Sequence, residues 1–218
     1  MDAASTVRRS LQDALALVFP VACAGCGADD VALCDVCGLA LAPRVLTRTI
    51  DGVRVWSGVD FEAAAARVIR GFKEEGRTSL ARALAPALSA AVAAAGGQRA
   101  TLVPIPTSRA SFRRRGFHAA ELVARRAGLP VARLLRASRE SADQRGLDIA
   151  GRRRNVAGSL VVCRGTPPGP LLVLDDVVTT GATIAEAVRA LDAAGAVVLG
   201  AVTVAATPRR GVARETRR

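Results

Sequence analysis

Residues 171–184 read LLVLDDVVTTGATI, and this stretch decides the fold. Four apolar residues, Leu171 to Leu174, run straight into Asp175 and Asp176. A continuous apolar run of this kind marks a strand buried on both faces, as in a parallel sheet. Val177 and Val178 follow, then Thr179, Thr180, Gly181, Ala182 and Thr183, where a helical pattern begins. In open α/β sheets, ligands bind beyond the carboxyl ends of the strands. The reading therefore places the two acids at a strand end, before hydroxyls and a glycine at a helix N-terminus. The acids suit a ribose diol or a hydrated metal ion. The free amides and hydroxyls suit a phosphate, because a helix N-terminus offers unpaired N–H groups and a favourable dipole. Ribose and phosphate are the expected ligand.

The block resembles the phosphoribosyl-pyrophosphate (PRPP) motif of type I phosphoribosyltransferases, a hydrophobic strand followed by Asp-Asp and a Thr-Thr-Gly-x-Thr loop. An ordinary strand-turn-helix needs neither two adjacent acids nor three threonines.

With 218 residues, the chain has room for one substantial α/β domain and a small appendage. The expected divisions are 1–60 (N-terminal helix, cysteine knuckle and hairpin), 61–208 (the α/β domain) and 209–218 (a basic tail, expected to be disordered). Half of the residues are hydrophobic but only 3% are aromatic, so the core must be built from Ala, Val and Leu. The net charge is +12, and Lys73 is the only lysine. Such a surface favours polyanions, whether nucleic acid, phosphates or anionic lipid. Near the N-terminus, Arg8 and Arg9 precede an apolar stretch, but Gln12 and Asp13 interrupt it. Val7, Leu11, Leu15 and Val18 recur instead at helical spacing. No segment reaches the ~18 continuous apolar residues of a membrane span, and the expected location is the cytoplasm.

Cys23 and Cys26 form one CxxC pair, and Cys34 and Cys37 form another after a short loop. Two such pairs can complete a tetrahedral zinc site, with Gly25, Gly27 and Gly38 turning the chain. Redox pairs or disulfides are the alternative, disfavoured in the cytoplasm. Cys163 stands apart and is expected to be a buried apolar residue. Residues 45–50 and 53–59 read as a hairpin around Asp51-Gly52, the preferred pair of a type I′ turn. Trp56 is expected to pack rather than to stack a base. Helical patterns follow to Gly76 and over 79–95.

A short strand, 101–105, ends in Pro104, Ile105 and Pro106, a stiff turn followed by Thr107 and Ser108 as phosphate-compatible donors. Arg109, Arg113, Arg114 and Arg115 come next, before a helix that starts after Gly116. This makes a second anion site, although a solvated basic face explains any single arginine equally well. A strand is expected over 131–137. Residues 138–155 are polar and rich in Arg and Gly, and read as a functional lid or a linker. The candidates there are Arg139, Gln144, Arg152, Arg153 and Arg154. A helix to about Leu191 and a strand over 197–206 complete the sheet.

Taken together, the chain resembles the ComF family, phosphoribosyltransferase-like proteins associated with DNA uptake. The resemblance rests on the four cysteines, GFKEEGR around Lys73, VPIP at 103–106 and RRRGFHAAELVA. It continues through Gln144, RRRNVAGS at 152–159 and LDDVVTTGAT. His118 and Phe72 depart from the usual asparagine and tyrosine. The resemblance implies a Rossmann-like parallel sheet flanked by helices, with structural zinc and with Mg²⁺ bound alongside PRPP. It further implies that Asp175 and Asp176 bind the ribose hydroxyls and that Val178 to Thr183 wrap the 5′-phosphate. The 104–108 turn would take pyrophosphate, and the 139–154 loop would close over it. Two functions follow: phosphoribosyl transfer to an acceptor that the sequence does not specify, or non-catalytic binding of PRPP and single-stranded DNA. DNA-uptake proteins are the expected partners.

Overall fold

In the computed structural model the described residues are 21–138, 157–163 and 165–208. The expected N-terminal helix, the 139–154 loop with its five candidate residues and the 209–218 tail lie outside them. In chain order the elements begin with α1 (Asp35–Leu39), β1 (Leu46–Ile50), β2 (Val53–Asp60), α2 (Ala63–Glu74), α3 (Ala81–Ala94) and β3 (Thr101–Pro104). They continue with α4 (Arg109–Arg115), α5 (Ala119–Arg126), β4 (Leu135–Ala137), β5 (Leu160–Val162), β6 (Leu171–Val178), α6 (Ala182–Ala193) and β7 (Val198–Ala206).

The central sheet has the order β1-β2-β7-β6-β3 and is parallel except for the β1–β2 hairpin. Asp51 and Gly52 both have positive φ, as a type I′ turn requires. The hairpin, grouped with the knuckle in the sequence reading, thus supplies two strands of the main sheet. Its Trp56 is 7% exposed and packs in the core.

Both faces of the sheet are covered. On one side Ile69 and Phe72 of α2, Leu84 and Leu88 of α3 and Val123 of α5 pack against Leu102, Leu172, Leu174 and Val202. On the other side Ile184, Ala187 and Leu191 of α6 pack against Val103, Leu171, Val173 and Ala201. Each such leucine contributes roughly 1.5–3 kcal/mol relative to exposure. Small side chains let the layers approach: Gly58 lies so close to the backbone of Ala87 that a Cβ would not fit. The result is an α/β fold with a mostly parallel sheet between helical layers.

Three expectations are corrected. Residues 109–115, placed ahead of the helix expected after Gly116, are themselves helical, capped by Ser108, whose Oγ accepts from the Ser111 N–H at 3.2 Å. The helix buries none of its residues, so it leaves no apolar period to read. The 131–137 strand shrinks to β4, which pairs with β5 in a separate antiparallel ribbon. Upstream of β4, Leu102 N–H donates to Pro130 O and Ala132 N–H to Leu102 O, so residues 130–132 only seal the edge of β3. Cys163 is exposed, not buried, because it follows this short ribbon instead of a core strand.

Candidate functional site

The site grows from the unequal lengths of β3 and β6. β3 ends at Pro104, opposite Leu174, and Ile105 N–H donates to Leu174 O at 2.9 Å. β6 continues to Val178, still paired with β7. Asp175 and Asp176 therefore lie within the strand rather than at its end, because β7 extends its ladder. On the β3 side they stand where the 104–108 turn leaves the sheet.

Asp175 sits opposite Thr203 of β7, whose hydroxyl is 2.7 Å from that of Ser57. Its Oδ1 accepts the Asp176 N–H at 2.8 Å. Burial, reinforced by the neighbouring Asp176 charge, pushes the Asp175 carboxyl up to about 7. Asp176 is in register with Leu172 and Leu174, whose face packs against α2, α3 and α5. From α2, Lys73 Nζ reaches Asp176 Oδ1 at 2.8 Å.

Beyond β6, Thr179 and Thr180 are exposed and Gly181 opens α6 with φ 77°. A Cβ there would come within 2.6 Å of Ile50 Cδ1, so the hairpin tip lies against the loop. Among the described residues no side chain caps α6, and the amides of Ala182 and Thr183, in its first turn, have no acceptor within the helix. The exit of β6 is pinned by Thr207, whose N–H and Oγ1 both donate to Val178 O.

The 104–108 turn lines a cleft of about 770 Å³ together with Arg109, His118, Glu121, Arg133, Leu135, Arg136 and Leu160. Glu121 receives Arg125 at 2.6 Å and Arg133 at 2.7 Å. Burial raises its carboxyl, but these two arginines outweigh burial and hold it below the usual range. Glu121 is thus neutralised internally, and the cleft keeps a surplus of positive charge. On its outer side, Phe112 stacks on His118 with ring centroids 4.7 Å apart.

The four cysteines converge. One sulfur from each of Cys23, Cys26, Cys34 and Cys37 lies within 4.8 Å of all the others, and Cys26 and Cys34 approach to 3.7 Å. A tetrahedron with metal–sulfur bonds of ~2.3 Å has sulfur–sulfur edges of about 3.8 Å. The cluster can therefore hold a metal such as zinc, and the four thiols are unpaired. The N–H of Cys34, against burial, draws the Cys23 thiol down to about 5, aided by the amides of Cys26 and Gly25. Burial, with hydrogen bonds from the other three cysteines, pushes Cys37 up to about 12. The knuckle is seated on α2: Arg67 Nε donates to Gly25 O, and Arg77 donates to Ala22 O and Ala32 O.

The structure thus brings Asp175, Asp176, the 178–183 loop and the 104–106 turn onto neighbouring strands. It keeps Cys23, Cys26, Cys34 and Cys37 in a separate cluster on α2. The sequence reading gave no site role to Lys73, Arg133 or Arg136. The single lysine of an arginine-rich chain was a usable signal for the first; nothing in the 131–137 pattern marked the other two. No helix among the described residues is long and apolar enough to cross a membrane. No family model matches the chain, and no curated protein matches its sequence.

Proposed function

We propose that the protein is a PRPP-binding phosphoribosyltransferase of the type I, ComF-like kind, acting on an acceptor that these residues do not identify. One observation carries the reading: an acid pair, a hydroxyl-and-glycine loop and an uncapped helix N-terminus follow one another on β6, beside a rigid turn on β3. A ribose 5-phosphate spans acids and loop, and a pyrophosphate on its anomeric carbon falls toward the turn.

In this reading the amides of Ala182 and Thr183 and the hydroxyls of Thr179, Thr180 and Thr183 hold the 5′-phosphate. Asp175 and Asp176 accept the ribose hydroxyls, directly or through waters of Mg²⁺. The donor set fits that ion, since hard oxygen ligands and retained waters are what it takes, and Asp175 has no cation of its own at hydrogen-bond distance among the described residues. When bound, Mg²⁺ neutralises charge on the departing pyrophosphate. The 104–108 turn and Arg109 orient that group, and preorganised donors there favour the separation of charge at the anomeric carbon. No covalent nucleophile is required. Cys23, Cys26, Cys34 and Cys37 hold structural zinc, a state that needs reduced thiols and so fits the cytoplasm.

The test is calorimetry with Mg²⁺ and PRPP. The intact chain binds, and the Asp175→Ala/Asp176→Ala double variant does not. Absence of binding by the intact chain removes the reading. A second role, in single-stranded DNA binding during uptake with partner proteins, is favoured by the Phe112–His118 stack set among arginines.

A further inference from the structure

The chain has 31 basic residues, of which one is lysine. That lysine makes the ion pair to Asp176, so its occurrence at this position calls for a reason of chemistry. Lysine carries a compact charge that engages a single oxygen, whereas the guanidinium fork of arginine takes both oxygens of a carboxylate. Lys73 Nζ meets only Oδ1, at 2.8 Å. Oδ2 of Asp176 makes no hydrogen bond among the described residues. The ammonium is also delivered from a fixed place. Lys73 stands in the last turn of α2, next to Phe72, which is 1% exposed and packs on Phe117 at 5.3 Å.

We propose that Lys73 is a positioning residue that fixes the Asp176 carboxylate through one oxygen and leaves the other to accept a ribose hydroxyl or a metal-bound water. The identity of the ligand rests on the PRPP reading above; the division of the two oxygens does not. An arginine at this position keeps the charge but occupies both oxygens.

Lys73→Arg and Lys73→Met test this in the full chain. The expected result for Lys73→Arg is a melting temperature within about 2 °C of the parent and Mg²⁺-dependent PRPP binding weakened roughly tenfold or more. Lys73→Met weakens binding and also lowers the melting temperature. A purely structural ion pair predicts the same stability for arginine but unweakened binding. Binding by Lys73→Arg within about twofold of the parent overturns the proposal. If the parent binds no Mg²⁺ and PRPP, the proposed function falls, and Lys73 is then read with Mn²⁺ alone by water-proton relaxation. Weaker Mn²⁺ binding in Lys73→Arg than in the parent supports the positioning role; equal binding, or none in either, overturns it.

Discussion

Asp175 carries a cost that depends on pH. Its carboxyl titrates at an ordinary 3.8 when unfolded and is raised to about 7 in the fold. The folded state therefore holds the proton more tightly than the unfolded chain does. The destabilisation is absent below about 3.8, grows as pH rises toward 7 and persists above it. Asp175→Asn removes it, and is expected to stabilise the protein at pH 8 on the order of 2–4 kcal/mol, with little change at pH 3.5. Urea midpoints at the two pH values check this; equal shifts at both would contradict the burial of an unpaired charge. The same residue explains why such a cost is kept. Oxygen ligation requires the ionised form, so on the proposed function Mg²⁺-dependent PRPP binding by the parent is expected to strengthen as pH rises through 7, with release of a proton. The sequence showed the acid pair plainly, but it could not show that, among the described residues, Asp176 has a cation at hydrogen-bond distance and Asp175 does not. That difference depends on Lys73, 103 residues away from Asp176.

Among the elements, α2 connects the two chemical centres. Its flank holds the knuckle through Arg67 and the following Arg77, and its last turn holds Asp176 through Lys73. Arg77→Met removes two hydrogen bonds to knuckle carbonyls and is expected to cost about 1 kcal/mol in urea. Zinc stoichiometry is expected to be unchanged and zinc release to a chromophoric chelator to be faster; an unchanged release rate would show that the knuckle holds without α2. If the cluster holds zinc as proposed, Cys34→Ser is expected to lose the metal and to lower the melting temperature. The elements differ in how far the sequence disclosed them, for physical reasons. β6 and the hairpin were readable because a buried run and an Asp-Gly turn are local signals. α4 was not, since a helix with no fully buried residue carries no apolar stripe. β4 reads as the end of a longer strand over 131–137 because its pairing partners, Leu135 with Val162 and Ala137 with Leu160, are distant in the chain and are fixed by the fold, not by the local pattern.

At the scale of the molecule, the net charge of +12 is not evenly useful. Arg113, Arg114 and Arg115 cluster on α4, beside an exposed Phe112 that is 40% accessible and stacked on His118. The scarcity of aromatic residues in the sequence weighs against base stacking. The fold concentrates two rings at the edge of the cationic cleft, a juxtaposition that composition could not reveal. Cations and rings act on single strands by separable means: arginines release counterions and set the salt dependence, while rings stack on bases and do not. Replacing Arg113, Arg114 and Arg115 with alanine is therefore expected to flatten the slope of log affinity against log salt by about 2, at ~0.7 for each phosphate no longer neutralised. Phe112→Ala is expected to weaken oligo-dT binding roughly tenfold at every salt concentration, with the slope unchanged. Fluorescence anisotropy over a salt series separates the two. A slope unchanged by the triple arginine replacement would move any nucleic-acid binding elsewhere on the molecule. Negligible affinity of the parent even at low salt would leave this face to the proposed pyrophosphate chemistry, and a DNA role would then require partner proteins.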